Sequence, residues 1–153
     1  MSAYSFLDCA ASLTGPGGSI MLGNGSGSSE EGIVITMTGP KNTMTTGADQ
    51  SVMHSLHASK SGSMTVNLLK TSPTNAALMD MYNFQSGSSS RWGQNVITIR
   101  DIARGDTITG RLAAFQQAPE ISYANDGGTF AWTFDVGMID HQIGTGTPER
   151  LTV

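Results

Sequence analysis

The chain has 153 residues, a length that suits one domain burying roughly two-thirds of its unfolded surface without staples. Only 13% of its residues are charged, against about 25% in ordinary globular chains, and the net charge is −4. Its eight Lys and Arg are scattered, which excludes a phosphate-gripping surface, and the lone Cys9 excludes an intrachain disulfide.

In chain order, Tyr4 to Leu13 reads as a strand with Cys9 expected as a small buried thiol within it. Its opening, Met-Ser-Ala-Tyr-Ser-Phe, has neither the basic start nor the apolar run of a signal peptide, and no stretch reaches the ~20 apolar residues of a membrane span. Gly15-Pro16-Gly17-Gly18 marks a turn and Ser19 to Leu22 a short second strand. Gly23 to Ser29 reads as a Gly/Ser loop closed by Glu30-Glu31-Gly32. Ile33, Ile35 and Met37 alternate with Val34, Thr36 and Thr38, the period of an amphipathic strand. Gly39-Pro40-Lys41-Asn42 then turns the chain, and Thr43 to Thr46 is expected to return as its hairpin partner.

From Gly47 to Gly62 no strong period is present. A connection this long inside a compact domain is unusual and tends to be functional or disordered. Its apolar Val52, Met53 and Leu56 argue against free disorder, so Asp49, Val52, Met53, His54, Leu56, His57 and Lys60 are expected to form an arm that orders against a partner.

Met64, Val66 and Leu68 oppose Thr65 and Asn67 in the next strand. Ser72 then suits a helix N-cap and Pro73 the first helical position, where its missing N–H costs nothing. Ala76, Ala77, Leu78, Met81 and Tyr82 form one apolar stripe, so a helix is predicted over about residues 73–85. Val96–Asp101, Thr107–Phe115, Pro119–Tyr123 and Thr129–Val136 are the remaining predicted strands. The last carries the row Phe130, Trp132, Phe134, Val136, the strongest buried face in the chain. About eight strands and one helix predict a mainly β fold, a β-sandwich or flattened barrel with one flanking helix. The domain is expected to span residues 1–143, with a polar tail over 144–153.

No catalytic constellation emerges. His54-x-x-His57 supplies two imidazoles where zinc requires three or four ligands. Gly15-Pro16-Gly17-Gly18 lacks the Gly-Lys-Ser/Thr of a phosphate loop, and Gly25-Ser26-Gly27 lies in a loop and not between strand and helix. No cofactor or metal is expected, and no enzyme activity.

Lys70 to Phe84 (KTSPTNAALMDMYNF), followed by Trp92-Gly93-Gln94-Asn95-Val96-Ile97-Thr98-Ile99, resembles the tail tube family of contractile-tailed bacteriophages. Tyr4-Ser5-Phe6-Leu7-Asp8, Gly15 to Gly18, Glu30 to Ile33, Met53 to Ala58 and Lys60-Ser61-Gly62 resemble it in the same order, so the likeness covers about residues 1–143. It implies a virion structural protein located in the tail and assembled in the host bacterial cytoplasm. Six copies would close into a ring, and rings would stack into a tube through which DNA passes at ejection without specific binding. The implied partners are further copies, the tail sheath protein, the tape measure protein, the baseplate and the tail terminator, with no membrane insertion by this chain. Under this reading the small polar residues Thr36, Thr38, Thr43, Thr45, Thr65 and Asn67 are expected to face the lumen. Two alternatives stand beside it: another tail component (terminator, decoration or fibre-associated), or a small-ligand β-barrel lined by Phe130, Trp132 and Phe134.

Overall fold

The structure, a computed structural model, describes residues 4–22 and 28–144. A short 3-10 turn, Phe6–Asp8, leads into β1 (Cys9–Gly15) and β2 (Gly18–Met21). Next come β3 (Ser28–Met37), β4 (Asn42–Thr46), β5 (Val52–Leu56) and β6 (Gly62–Leu69). The helix α1 (Thr74–Ser86) precedes β7 (Asn95–Asp101), β8 (Asp106–Phe115) and β9 (Thr129–Gln142). Among the described residues, seven strands form one antiparallel sheet in the order β2-β1-β7-β8-β9-β6-β3, while β4 and β5 pair only with each other. The mainly β fold with a single flanking helix is as the sequence predicts, and its sheet is open, with β2 and β3 as edges.

Alternation drives the packing. Side chains at every second strand position share a face. Met64, Val66 and Leu68 of β6 therefore turn inward together, in register with Phe134, Trp132 and Phe130 of β9. Ala11 and Leu13 of β1, Ile97 and Ile99 of β7, and Ala113 and Phe115 of β8 reach the same core, so the sheet wraps around one apolar interior. Phe115 meets Trp132 edge-on at 6.0 Å and Phe134 at 4.8 Å between ring centroids. Trp132 and Phe134 are thus packed core residues and not the lining of a ligand cavity. Two glycines permit the closeness. A Cβ on Gly62 would lie 2.5 Å from the Thr36 carbonyl oxygen, and one on Gly110 would lie 2.8 Å from Met64 Cε.

The helix opens one residue later than expected, with Pro73 at its N-cap and Thr74 as the first helical residue, while the Ser72 hydroxyl accepts from the Thr74 N–H at 3.3 Å. Leu78 and Met81 join the core, and buried amides tie the helix to the sheet. The Trp132 indole N–H donates to Asn75 Oδ1 at 3.0 Å, and Asn75 Nδ2 donates to the Leu69 carbonyl at 2.8 Å. At the far end Gln85 Nε2 donates to Asn95 Oδ1 (2.7 Å) and to the Pro16 carbonyl (2.9 Å). Asn95 Nδ2 returns a bond to Gln85 Oε1 at 2.9 Å.

Several local expectations are corrected. Thr43 to Thr46 do not pair with the Ile33–Met37 strand, which has β6 on one side and keeps its other edge open, because the bonded turn from Gly47 to Ser51 brings a different strand back beside them. They pair with β5, which lies inside the stretch read as patternless. Glu30 to Gly32 belong to β3 and not to a loop, with Gly32 at φ 62 where the register to β6 shifts. Pro119 to Tyr123 form no strand, and β9 runs on past Val136 to Gln142. Its buried positions change parity between Val136 and Ile139, which breaks the alternation on which the shorter strand was based. The loop at residues 23–27 and the tail at 145–153 lie outside the described residues.

Cys9 is half-covered and not buried as expected; burial first, and the Asp101 carboxylate second, push its thiol pKa up. Folding therefore favours the neutral thiol, a contribution that is complete below the unfolded pKa and fades as pH rises through the folded one. At pH 9.0, where an unperturbed thiol is half ionised, iodoacetamide is expected to alkylate Cys9 more slowly in the folded protein than in urea. Equal rates would contradict this. Replacing Gln85 by Leu orphans both Asn95 and the Pro16 carbonyl, so urea denaturation is expected to show a loss of about 2–4 kcal/mol. The double replacement Gln85→Leu/Asn95→Leu is expected to recover part of that loss.

Candidate functional site

Two surfaces carry the residues singled out from sequence, and neither gathers catalytic chemistry. The first is the β4–β5 hairpin. Directly opposite residues of an antiparallel pair share a face. The register Asn42↔Leu56, Met44↔His54 and Thr46↔Val52 puts three large apolar side chains on one face, all of them exposed. The other face carries Thr43↔Ser55 and Thr45↔Met53, mostly small hydroxyls. Leu56 is 81% exposed, and among the described residues the hairpin has no strand partner beyond itself.

Its tip is tightly bonded. Gly47 N–H donates to the Ser51 carbonyl at 2.7 Å, and Ser51 N–H to Asp49 Oδ1 at 3.1 Å. The bonds from Ser51 hold the exposed Asp49 carboxyl below the usual carboxylate range. Gln50 sits at φ 67, in the left-handed region that the tight return requires. At the base, His57 N–H donates to the Lys41 carbonyl at 2.9 Å, and Lys60 pairs with Asp140 of β9 at 3.4 Å. His54 Nδ1 accepts from Asn42 Nδ2 at 3.1 Å, and His57 Nε2 is bonded to Thr43 Oγ1 at 2.7 Å. Asn42 and Thr43 are consecutive and face opposite ways, so the two imidazoles diverge. Among the described residues no three His, Cys, Asp or Glu side chains group as metal ligands. The expected arm residues Val52, Met53, His54 and Leu56 therefore lie on one hairpin strand, Asp49 at its tip, and His57 and Lys60 in its return.

The second surface is the sheet's outward face. Thr36 of β3 stands opposite Ser63 of β6, which stands opposite Asp135 of β9. One row over, Thr65 and Thr133 face each other with hydroxyls 3.5 Å apart. The same face continues across β1, β7, β8 and β9 as Ser12↔Thr98, Thr98↔Thr109 and Thr109↔Asp140. Thr38 lies just beyond β3, exposed, its N–H donating to the Ser61 carbonyl at 3.1 Å. Thr43 and Thr45 share a face of the hairpin and not of the main sheet. Asn67 departs from the expected open surface: it is 6% exposed, and its Nδ2 donates to the carbonyl of Gly32 at 3.2 Å, closing the irregularity in β3. Sequence reasoning passed over Ser63, Thr98, Thr109 and Thr133. Their signal was present in the alternation with the buried Met64, Ile97, Ile99, Trp132 and Phe134.

No curated protein matches the chain in sequence. Among solved structures, the anti-feeding prophage cap, a tube-terminating cap, has the same fold at a TM-score of 0.57 and 10% identity, covering 94% of this chain and 93% of that one. The sheath-tube complex of an extracellular contractile injection system in the extended state gives a TM-score of 0.57 at 14% identity, covering 92% of each chain. Residues 1–144 match the family described as bacteriophage PhiTE tail tube protein, and the chain accordingly belongs to that tail tube family.

Proposed function

We infer that copies of this chain close into rings of six, and that the rings stack into the inner tube of a contractile phage tail. The observation that carries the reading is an open sheet with two free edges, joined to a hairpin whose apolar face the subunit does not cover. A free edge is a row of unpaired backbone donors and acceptors that a neighbouring copy can satisfy. Edges of different strands, β2 and β3, give a head-to-tail contact, and such a contact closes rings when the rotation fits. The hairpin bridges to the adjacent subunit or ring through Met44, Val52 and Leu56. Asp49 at its tip and His57 and Lys60 at its return hold its shape and angle.

The outward hydroxyl face, with Thr36, Ser63, Thr65 and Thr133, lines the lumen in this reading, and Thr38, Thr43 and Thr45 continue it toward the hairpin. Hydroxyls and carboxylates suit a channel through which DNA slides, because clustered Lys or Arg would hold phosphates. The sheath, tape measure, baseplate and terminator are its partners in the virion tail, after assembly in the host cytoplasm. The protein acts by assembly and not by catalysis.

Negative-stain microscopy of the purified protein is expected to show long hollow tubes. Discrete rings would favour a terminator role, and monomers at high concentration with the other tail proteins supplied would overturn the reading. Replacing residues 42–56 by a short linker is expected to leave a folded subunit that no longer polymerises. Normal tubes from that variant would refute the bridging role. For the lumen, Thr36→Cys and Thr65→Cys in a Cys9→Ser background are expected to react in tubes with a small maleimide but not with a protein-sized one. Full labelling by the larger reagent would place these residues outside.

A further inference from the structure

A tube made of one kind of subunit, all pointing the same way, sets one end of each copy against the opposite end of another. Strand β9 connects the two ends of this molecule. It runs 14 residues, from Thr129, in register with Leu69, to Gln142, in register with Thr107. At ~3.3 Å per residue that is a contour of about 45 Å.

Each end bears an apolar patch that the subunit leaves open. At the Gln142 end, Leu7 (74% exposed), Ile102 (69%) and Ile143 (76%) surround the turn closed by Asp101 and Arg104. Three observations place them together. The Ile102 N–H donates to the Asp8 carbonyl at 3.0 Å, the Gly144 N–H donates to Asp106 Oδ1 at 2.8 Å, and Arg104 lies 5.5 Å from the Tyr4 ring centroid. At the Thr129 end, Tyr123 is 88% exposed, beside the exposed Ile121 and Leu69. Lys70 organises this patch: its N–H donates to the Gly128 carbonyl at 3.0 Å, and its Nζ donates to the Ser122 carbonyl at 2.6 Å while lying 4.1 Å from the Tyr123 ring centroid. Large aliphatic and aromatic side chains this open are costly in water, and a surface patch of them marks a contact site.

We propose that these two patches meet between stacked copies, Leu7, Ile102 and Ile143 of one subunit packing on Leu69, Ile121 and Tyr123 of a second copy in the next ring. The proposal rests on the tube reading above and names the surface along the tube axis, distinct from the sheet edges that close a ring and from the hairpin. The two patches are unlike and lie at opposite ends of one strand. One contact therefore leaves both outer ends free for the next, which repeats without limit.

Ile102→Asp and Tyr123→Asp change exposed side chains only, so both variants are expected to unfold at the wild-type urea midpoint. Each is expected to lower the yield of sedimentable tubes at least tenfold and to leave rings or short stacks under the microscope. In a Cys9→Ser background, mixing Ile102→Cys with Tyr123→Cys subunits before assembly is expected to give a mixed disulfide dimer on mild oxidation. Tubes of normal length from either Asp variant, or assembled tubes without the mixed disulfide, would overturn the contact while leaving the tube reading intact. Wild-type protein that forms no tubes would overturn both together.

Discussion

The register of β9 is the constraint on which the rest of the molecule depends. This strand is paired on both sides, to β6 and to β8, and its inward row of Phe130, Trp132, Phe134 and Val136 contributes heavily to the core. A slip of one residue would turn Thr133 and Asp135 into that core and Trp132 and Phe134 out to water. The indole N–H bond to Asn75 adds a directional check, since it forms only when Trp132 reaches the base of α1. With β9 fixed, the faces of β6 and β8 are fixed, and through β8 those of β7 and β1.

The same constraint separates the molecule into a covered and an uncovered half. Apolar side chains fill the inward face, while the outward face is hydroxyl-rich and carries few charges, Asp135, Asp140, Arg100 and Arg111 among them. The low charge content of the sequence becomes intelligible there. A surface of Thr and Ser stays wetted through its hydroxyls while offering few cations that could hold a phosphate. The most exposed apolar groups, Leu7, Leu56, Ile102, Tyr123 and Ile143, lie on the hairpin and at the two ends of the sheet, and such clusters mark contact surfaces.

Much of this was legible in the sequence because alternation and capping are local. Met64, Val66 and Leu68 opposite Thr65, the Ser72-Pro73 helix start, and the Phe130-to-Val136 row needed no tertiary information. Pairing partners were not legible. Thr43 to Thr46 could have returned along β3, which keeps an open edge, and only the turn at Gly47 to Ser51, unrecognised in a stretch without period, commits them to β5. Asn67 followed the period yet is buried, because a kink at Gly32 supplies a carbonyl for its amide, and no spacing rule shows a kink in another strand. The continuation of β9 past Val136 was hidden for the same reason, since its inward parity changes partway along. Of the candidate surfaces, the hairpin was recognisable as an ordered segment by its apolar content, while its division into an oily and a hydroxylated face required the cross-strand register.

The thioethers on the hairpin have a consequence of their own. Met44 and Met53 are both largely open to solvent in the single subunit, unlike Cys9, whose neutral, half-covered thiol is a poor nucleophile. Oxidants attack exposed methionine sulfur, and the sulfoxide is polar where the thioether was greasy and adaptable. Ageing of the free subunit would thus strike Met44 and Met53 of the hairpin together with Met21 at the sheet edge, turning open apolar surface polar while the covered sulfur of Met64 is spared.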